Sequence, residues 1–210
     1  MTLGASVVFV LMAGPALADR LTIAALGDSL TAGYGLPQED GLVPQLQAWL
    51  RARGQDVVIK NAGVSGDTTR GGLNRTDWTL TEDVEALIVT LGGNDVLRGL
   101  DPGRAKQNLA GIIEKAQAKG VPVMLVGLTA PPNYGEAYKT AFNNMYRELS
   151  ETYGTALHPN FFYNFFDGLD RTTALKRFMQ RDGIHPNKDG VAVVVKYMGP
   201  AVEAWVRDIK

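Results

Sequence analysis

The sequence has no cysteine and only two histidines, His158 and His185. A chain without cysteine has no disulfide, no thiolate metal site, no cysteine nucleophile and no acylated lipoprotein cysteine. Two histidines are too few for a histidine-rich metal site, and any imidazole general base must be one of them. We therefore expect neither a metal centre nor a catalytic thiol.

An excess of charge is also missing, because 21 Lys and Arg against 22 Asp and Glu leave a net charge of −1. Without a basic cluster, the chain has no electrostatic footprint for nucleic acid, which we exclude as a partner. Hydrophobic residues make up 45% and charged residues 20%, close to the globular averages of about 45–50% and 25%. At roughly 150 residues per domain, the length predicts a single domain.

Long hydrophobic runs are absent, since no segment approaches the roughly 20 apolar residues that span a bilayer. Stable membrane insertion is therefore not expected. Residues 7–13 form a shorter apolar run, and Ala16-Leu17-Ala18 follows it before Asp19. This pattern predicts a signal peptide at residues 1–18, export to the periplasm or medium, and a mature domain at residues 19–210. No Lys or Arg precedes the run, so a misplaced start codon or an apolar N-terminal strand remains an alternative.

Strand and helix patterns alternate along the mature chain. Apolar runs typical of buried strands lie at residues 21–26, 57–59, 86–91, 121–128 and 156–162. Helical patterns lie between them, the clearest running from an Asp101 N-cap to Gly120. A last helical pattern is interrupted by Gly199-Pro200, where we expect a kink or two short helices. The alternation predicts an α/β protein with a parallel sheet, whose ligands bind beyond the carboxyl ends of the strands.

Three polar loops follow predicted strands, at residues 27–30, 61–68 and 92–95. In the first loop Ser29 is either a nucleophile activated by an imidazole or part of a helix-capping turn. A glycine in the second loop could present a backbone N–H to an oxyanion, and Asn94 in the third could add an amide. Each loop taken alone is better explained as an ordinary turn.

A fourth segment near the C-terminus reads Asp182-Gly183-Ile184-His185-Pro186. The separation of three residues allows the Asp182 carboxylate to reach the His185 ring and fix its tautomer, as a general base requires. A turn capped by Asp182 beside a surface histidine is the alternative. His158 has no carboxylate near it in the sequence, and we expect no catalytic role for it.

The four segments in this chain order resemble the SGNH (GDSL) hydrolase superfamily. Longer matches at residues 61–68, 91–99, 133–135 and 182–187 resemble its bacterial thioesterase I/lysophospholipase and arylesterase branch. The resemblance implies a flavodoxin-like three-layer α/β/α sandwich with a five-stranded parallel sheet in the order 2-1-3-4-5. This fold agrees with the α/β pattern obtained from the alternating strands and helices.

The same resemblance implies a role for individual residues. Ser29 would be the nucleophile, His185 the general base and Asp182 its orienting carboxylate. The oxyanion hole would consist of the backbone N–H groups of Ser29 and Gly66 and the side-chain amide of Asn94. Substrate-binding residues would be Asp28, Pro132, Asn133 and Tyr134, the last three in a segment that lines the acyl-chain groove in that branch.

The expected function is hydrolysis of carboxylic esters through an acyl-enzyme, without a cofactor, on small acyl-ester or lipid-like substrates. Thioesters and lysophospholipids are further candidate substrates. A carbohydrate O-deacetylase of the same superfamily is the nearest alternative, followed by a non-catalytic acyl-binding protein. A nucleotide- or flavin-binding module is less compatible, because the sequence has neither G-x-x-x-x-G-K-[ST] nor G-x-G-x-x-G between a strand and a helix.

Overall fold

The computed structural model describes residues 20–210, so the predicted signal peptide at residues 1–18 lies outside the described residues. The strands are β1 (Leu21–Gly27), β2 (Val57–Gly63), β3 (Ala86–Thr90), β4 (Val123–Val126) and β5 (Ala156–His158). The α-helices are α1 (Ser29–Ala32), α2 (Leu42–Arg51), α3 (Thr69–Thr79), α4 (Gly93–Leu97), α5 (Pro102–Ala118), α6 (Glu136–Tyr153), α7 (Arg171–Phe178) and α8 (Lys188–Asp208). Short 3-10 helices cover Gln38–Asp40 and Pro132–Tyr134.

The five strands form one parallel sheet in the order β2-β1-β3-β4-β5, which confirms the predicted topology. At its carboxyl edge Gly27 pairs with both Gly63 and Thr90. The loops after β1, β2 and β3 therefore leave the sheet side by side. This register brings the three polar loops of the sequence to one edge.

Helices cover both faces of the sheet, as the predicted sandwich requires. Helix α2 packs with α8, while α5 packs with α3 and α6. Every residue of β3 is buried, because this central strand contacts both helical layers. None of the helices within residues 20–210 combines the length and the apolar character needed to cross a bilayer.

Strands β4 and β5 are shorter than the apolar runs that predicted them, and the prediction of their ends was wrong. Before β4, the amide of Val121 still bonds to Ala116 at the end of α5. After β5, Pro159 has no N–H for the ladder, and the amide of Phe161 turns back to Gly127. The apolar residues beyond His158 are packed in an aromatic cluster, which includes Phe161 and Phe165, instead of continuing the sheet.

The C-terminal helix α8 runs for 21 residues with Pro200 inside it. Of the two alternatives expected there, two short helices are therefore wrong, and a kink stays a prediction. An interior proline costs a helix roughly 3 kcal/mol. This cost is offset by tertiary packing, because α8 buries an apolar stripe along its length: Val191, Val194, Val195, Met198, Val202 and Val206. Gly199 allows close contact with α2, since a Cβ there would lie 2.8 Å from the Trp49 ring.

Candidate active site

Ser29 follows the carboxyl end of β1, as the first residue of α1. Gly27 makes this sharp exit possible, because a Cβ there would lie 2.0 Å from the Thr31 hydroxyl. The N-cap is Asp28, whose carboxylate accepts a hydrogen bond of 3.0 Å from the amide of Leu30. Since Asp28 caps the helix, the hydroxyl of Ser29 is left for another partner.

That partner is His185, whose Nε2 lies 2.8 Å from the Ser29 Oγ. On the other side of the ring, Nδ1 lies 2.6 Å from Asp182 Oδ2. An ionised carboxylate only accepts hydrogen bonds, so the ring proton is on Nδ1 and Nε2 accepts the Ser29 proton. The structure thus brings together all three residues that the sequence singled out for nucleophile, base and orienting carboxylate.

The Asp182 carboxylate is held by its own turn. Its Oδ1 accepts hydrogen bonds of 2.9 and 3.0 Å from the amides of Ile184 and His185. Desolvation works against the ionised form, but the hydrogen bonds from the His185 ring and from the two amides outweigh it and lower the pKa of Asp182 to about 2. The carboxylate is therefore negative at any pH near neutrality.

Gln180 links this turn to the segment that carries Ser29. Its side-chain amide donates hydrogen bonds of 2.7 Å to the Tyr34 carbonyl and 3.0 Å to the Pro186 carbonyl. Its backbone amide donates to the His185 carbonyl at 2.8 Å, and the Tyr34 ring packs against the imidazole with 4.7 Å between centroids. Sequence reasoning missed Gln180, because its Tyr34 partner is 146 residues away.

The predicted oxyanion donors come from all three loops. Within residues 20–210 the backbone amides of Ser29 and Gly66 donate to no other group, which leaves them available to a ligand. Gly66 has φ +84, a left-handed conformation that favours glycine, and its carbonyl accepts a 2.8 Å hydrogen bond from Arg98. The side-chain amide of Asn94 donates to Asp28 Oδ2 at 3.3 Å and has a second N–H to offer.

Glycines at 92 and 93 place Asn94. Gly92 has φ +120, and a Cβ there would lie 2.3 Å from the hydroxyl of the buried Tyr146. A Cβ on Gly93 would lie 2.9 Å from the Asp28 carboxylate. The backbone of this loop therefore approaches both neighbours more closely than any other residue type would allow.

Asp28 is buried beneath the site, and its contact with substrate remains a prediction. It is 2% exposed, and its two carboxylate oxygens are used by the Leu30 amide and the Asn94 side chain. Burial raises the pKa of Asp28 to about 6, although both hydrogen bonds oppose the rise. Its hydrogen bond with Asn94 ties the third loop to the first.

The segment with Pro132, Asn133 and Tyr134 forms a short 3-10 helix at the same edge of the sheet. The Tyr134 hydroxyl donates to the Leu97 carbonyl at 3.3 Å, so the segment lies beside the end of α4, which carries Asn94. Tyr134 and Leu97 are 39% and 58% exposed. Contact of these three residues with substrate remains a prediction.

His158 lies at the end of β5, 3% exposed, and its Nε2 has no partner within residues 20–210. Burial lowers the pKa of His158, which keeps the ring neutral. No hydrogen bond joins it to Ser29 or Asp182 in the described part of the chain. Its lack of a catalytic role remains a prediction.

A cleft and a larger cavity lie near the loops of the site. A small cleft beside the Ser29–His185 pair has walls that include Tyr34, Leu36 and Val191. A larger cavity of about 590 Å³ lies between α3 and α5 and does not include the pair. Among residues 20–210, no group of three or more histidine or acidic side chains is arranged to hold a metal ion.

Comparison with known proteins agrees with this geometry. Residues 25–193 match the model of the GDSL-like Lipase/Acylhydrolase family. The chain is 43% identical over 166 residues to Esterase TesA of Pseudomonas aeruginosa, covering 79% of each chain. It is 33% identical over 192 residues to thioesterase 1/protease 1/lysophospholipase L1 of Escherichia coli, covering 91% of this chain and 86% of the relative.

A solved structure also resembles this fold. The psychrotrophic esterase EstA from Pseudoalteromonas sp., inhibited by monoethylphosphonate, superposes with a TM-score of 0.80 at 33% identity, covering 89% of this chain and 98% of that one. The family match spans the loops after β1, β2 and β3 and all of the segment from Asp182 to His185. The chain therefore belongs to the GDSL-like lipase/acylhydrolase family and is a carboxylic ester hydrolase.

Proposed function

We propose that Ser29 is the nucleophile of this hydrolase and that esters are cleaved through an acyl-enzyme on its Oγ. The observation that carries the proposal is the 2.8 Å hydrogen bond from the Ser29 hydroxyl to His185 Nε2. It is supported by the 2.6 Å contact between His185 Nδ1 and Asp182, which makes Nε2 the basic nitrogen. A serine hydroxyl is a weak nucleophile unless such a base removes its proton during attack.

Acylation begins when Ser29 Oγ attacks the ester carbonyl and His185 Nε2 takes the hydroxyl proton. The carbonyl oxygen becomes negative, and the amides of Ser29 and Gly66 and the side chain of Asn94 donate hydrogen bonds to it. As the tetrahedral intermediate collapses, the imidazolium gives its proton to the leaving oxygen, or to sulfur in a thioester. The ionised Asp182 stabilises the imidazolium throughout.

Deacylation repeats these steps with water. His185 takes a proton from a water molecule, whose oxygen attacks the acyl carbonyl, and the same three donors hold the second oxyanion. The proton then returns to Ser29 Oγ as the acid product leaves. Every proton in the cycle passes through His185 Nε2, so one base serves both halves of the reaction.

The proposed substrates are esters with an apolar acyl or aryl group, with thioesters and lysophospholipids as further substrates. The names of the relatives, an esterase and a thioesterase 1/protease 1/lysophospholipase L1, support this range. Apolar side chains beside the site support it too, because Tyr34, Leu97 and Tyr134 are all more than a third exposed. Exposed apolar side chains next to a reacting group are suited to hydrocarbon rather than to polar substrate.

We further propose export, with cleavage after Ala18 and action in the periplasm or medium. The apolar run and small residues of the sequence support it. The mass of the mature protein, recovered from cells that express the full chain, tests this proposal. A product that begins at Asp19 is expected, and an intact N-terminus in the cytoplasm would contradict it.

The central test compares the wild type with S29A. The wild type is expected to hydrolyse p-nitrophenyl esters and to be labelled on Ser29 by a fluorophosphonate, and S29A to lose both. S150A is the matched control, because Ser150 bonds to the Thr155 carbonyl at the end of α6 and is expected to keep activity and label. Labelling that survives in S29A would show that another residue is the nucleophile.

A substrate panel separates the remaining alternatives. It contains p-nitrophenyl esters, acyl-CoA, a lysophospholipid and an acetylated oligosaccharide. Activity confined to the oligosaccharide would favour a deacetylase. Binding of fatty acid without release of alcohol would favour a non-catalytic acyl-binding protein.

A further inference from the structure

Arg75 on α3 binds the two loops that supply the backbone donors of the proposed oxyanion hole. Its Nη2 donates to the Gly27 carbonyl at 2.8 Å and its Nη1 to the Ala62 carbonyl at 2.6 Å. Its Nε donates to Asp67 Oδ2 at 2.6 Å. The side chains of Arg75 and Asp67 are only 22% and 13% exposed, so solvent competes little for this cluster.

Two of the three acceptors lie close in the sequence to a proposed donor, and the third belongs to the strand that leads into the Gly66 loop. The Gly27 carbonyl ends β1, two residues before the Ser29 amide, and the Ala62 carbonyl lies at the end of β2. Asp67 directly follows Gly66 in the sequence. One guanidinium therefore connects the segment that carries one backbone donor to the loop that carries the other.

The neighbourhood is built to admit this contact. A Cβ on Gly71 would lie 1.6 Å from Asp67 Oδ1, so only glycine leaves space for the carboxylate that holds Arg75. The Gly27 carbonyl also accepts the Val64 amide at 3.0 Å, and the Asp67 amide donates to the Val64 carbonyl at 3.0 Å. The two loops are thus already in contact, and Arg75 fixes their separation.

We propose that Arg75 is the positioning residue of the oxyanion hole, which sets the distance between the Ser29 and Gly66 amides. This inference rests on the proposed function of Ser29 and adds a residue that touches neither substrate nor the Ser29–His185 pair. The planar fork of arginine matches three acceptors at once. A lysine ammonium at the same position reaches them one at a time as a point charge, so it replaces the fork poorly.

The consequence falls on the transition state. The oxyanion is formed only after Ser29 attacks, so donors that are displaced by a fraction of an ångström weaken its stabilisation and leave ground-state binding unchanged. We expect Arg75→Met to lower kcat by about 10- to 100-fold, less than the loss of about 10²–10³ on removing a donor outright. KM is expected to stay within about twofold, because uniform binding is not affected.

The experiment measures kcat and KM on a p-nitrophenyl ester and Ki for a trifluoromethyl ketone, whose serine adduct carries the oxyanion. Wild type, S29A, R75M, R75K and R51M are compared. R51M is the matched control, because Arg51 donates to the Val57 carbonyl at the opposite edge of the sheet. In R75M the ketone affinity is expected to fall by the same factor as kcat/KM, whereas R51M is expected to lose stability only.

The pH profile supplies a second readout. R75M is expected to keep the wild-type profile of kcat/KM, since neither His185 nor Asp182 is touched. R75K is expected to recover only a minor part of the loss. If R75M does not fold, R75K and D67N decide the question by the same measurements, because D67N removes the charge that holds the guanidinium.

The outcomes separate this inference from the proposed function. A wild type without esterase activity, or an S29A variant that keeps it, would overturn both. If the wild type is active and S29A is not, the proposed function stands. The Arg75 inference alone is then overturned if R75M has the same kcat and the same ketone affinity as the control R51M. It is equally overturned by a loss that appears in KM, or by a changed pH profile.

Discussion

The buried carboxylate of Asp28 should make the protein less stable as the pH rises. Burial raises the pKa of Asp28 from 3.8 to about 6 in the folded chain, so the folded state holds this proton more tightly than the unfolded state does. Its contribution to stability is complete below the unfolded pKa and is lost as the pH rises through the folded pKa. The shift is about 2 pKa units, at about 1.36 kcal/mol each, and the loss is therefore about 3 kcal/mol above pH 6.

Asp28→Asn removes this titration and keeps the shape of the side chain. We expect the free energy of unfolding of D28N minus that of the parent to rise by about 3 kcal/mol from about pH 3 to about pH 7, mostly between pH 4 and 6. Urea unfolding at a series of pH values measures the difference. Both chains should carry H185Q, so that the charge of the imidazole does not act on Asp28.

Asp77→Asn is the control with the opposite direction. The hydrogen bond from Lys115 lowers the pKa of the exposed Asp77. The free energy of unfolding of D77N minus that of the parent should therefore fall as the pH rises. The activity of D28N in the chain that keeps His185 should fall about tenfold, because Asn94 loses its anionic acceptor. A difference between D28N and parent that stays constant with pH would refute the reasoning.

Four further substitutions follow from the site. Asn94→Ala should lower kcat on a p-nitrophenyl ester by about 10²–10³ with little change in KM, and a near-wild-type kcat would remove Asn94 from the oxyanion hole. Gly92→Ala should cost at least about 2 kcal/mol in urea unfolding, because its Cβ meets the Tyr146 hydroxyl at 2.3 Å and φ is +120; unchanged stability would contradict the contact. Gln180→Met should slow ester hydrolysis and fluorophosphonate labelling of Ser29 by one common factor of about ten, since both need the aligned imidazole; unequal factors would contradict this. His158→Phe should keep kcat. Below pH 6.5, the ordinary pKa of histidine, it should lose less stability than the wild type, because burial lowers the pKa of His158 and protonation then favours unfolding. Equal acid sensitivity of the two chains would refute this.

Much of the fold follows from local signals in the sequence. The Asp101 cap, with Pro102 after it, starts α5 as predicted, because both act through the backbone of their own helical turn. The division into two helices at Pro200 was wrong for the opposite reason. Helix α8 stays continuous because it packs on α2 through Gly199 and Trp49. A contact between two distant segments produces no pattern in the sequence of either segment, so it could not be predicted.

The site divides in the same way. Ser29 and Asn94 carry a hydroxyl and an amide just after strands, and His185 carries an imidazole in a turn with Asp182, so their chemistry is visible in the sequence. Apart from the Asp67 carboxylate, the partners of the Arg75 and Gln180 side chains are backbone carbonyls, which any residue type supplies, so the sequence does not mark them. The sequence revealed the groups that react, whereas the structure was needed for the groups that hold them.

The turn that joins Asp182 to His185 contains both the general base and the carboxylate that orients it. Within residues 20–210, every hydrogen bond of the Asp182 carboxylate is made inside this short peptide, so the tautomer of His185 depends on no distant segment. The remainder of the fold places the ring of His185 beside the hydroxyl of Ser29, which lies near the other end of the chain. Transplanted to another scaffold, this turn would keep its tautomer but would still need a residue such as Gln180 to align the ring and donors for the oxyanion.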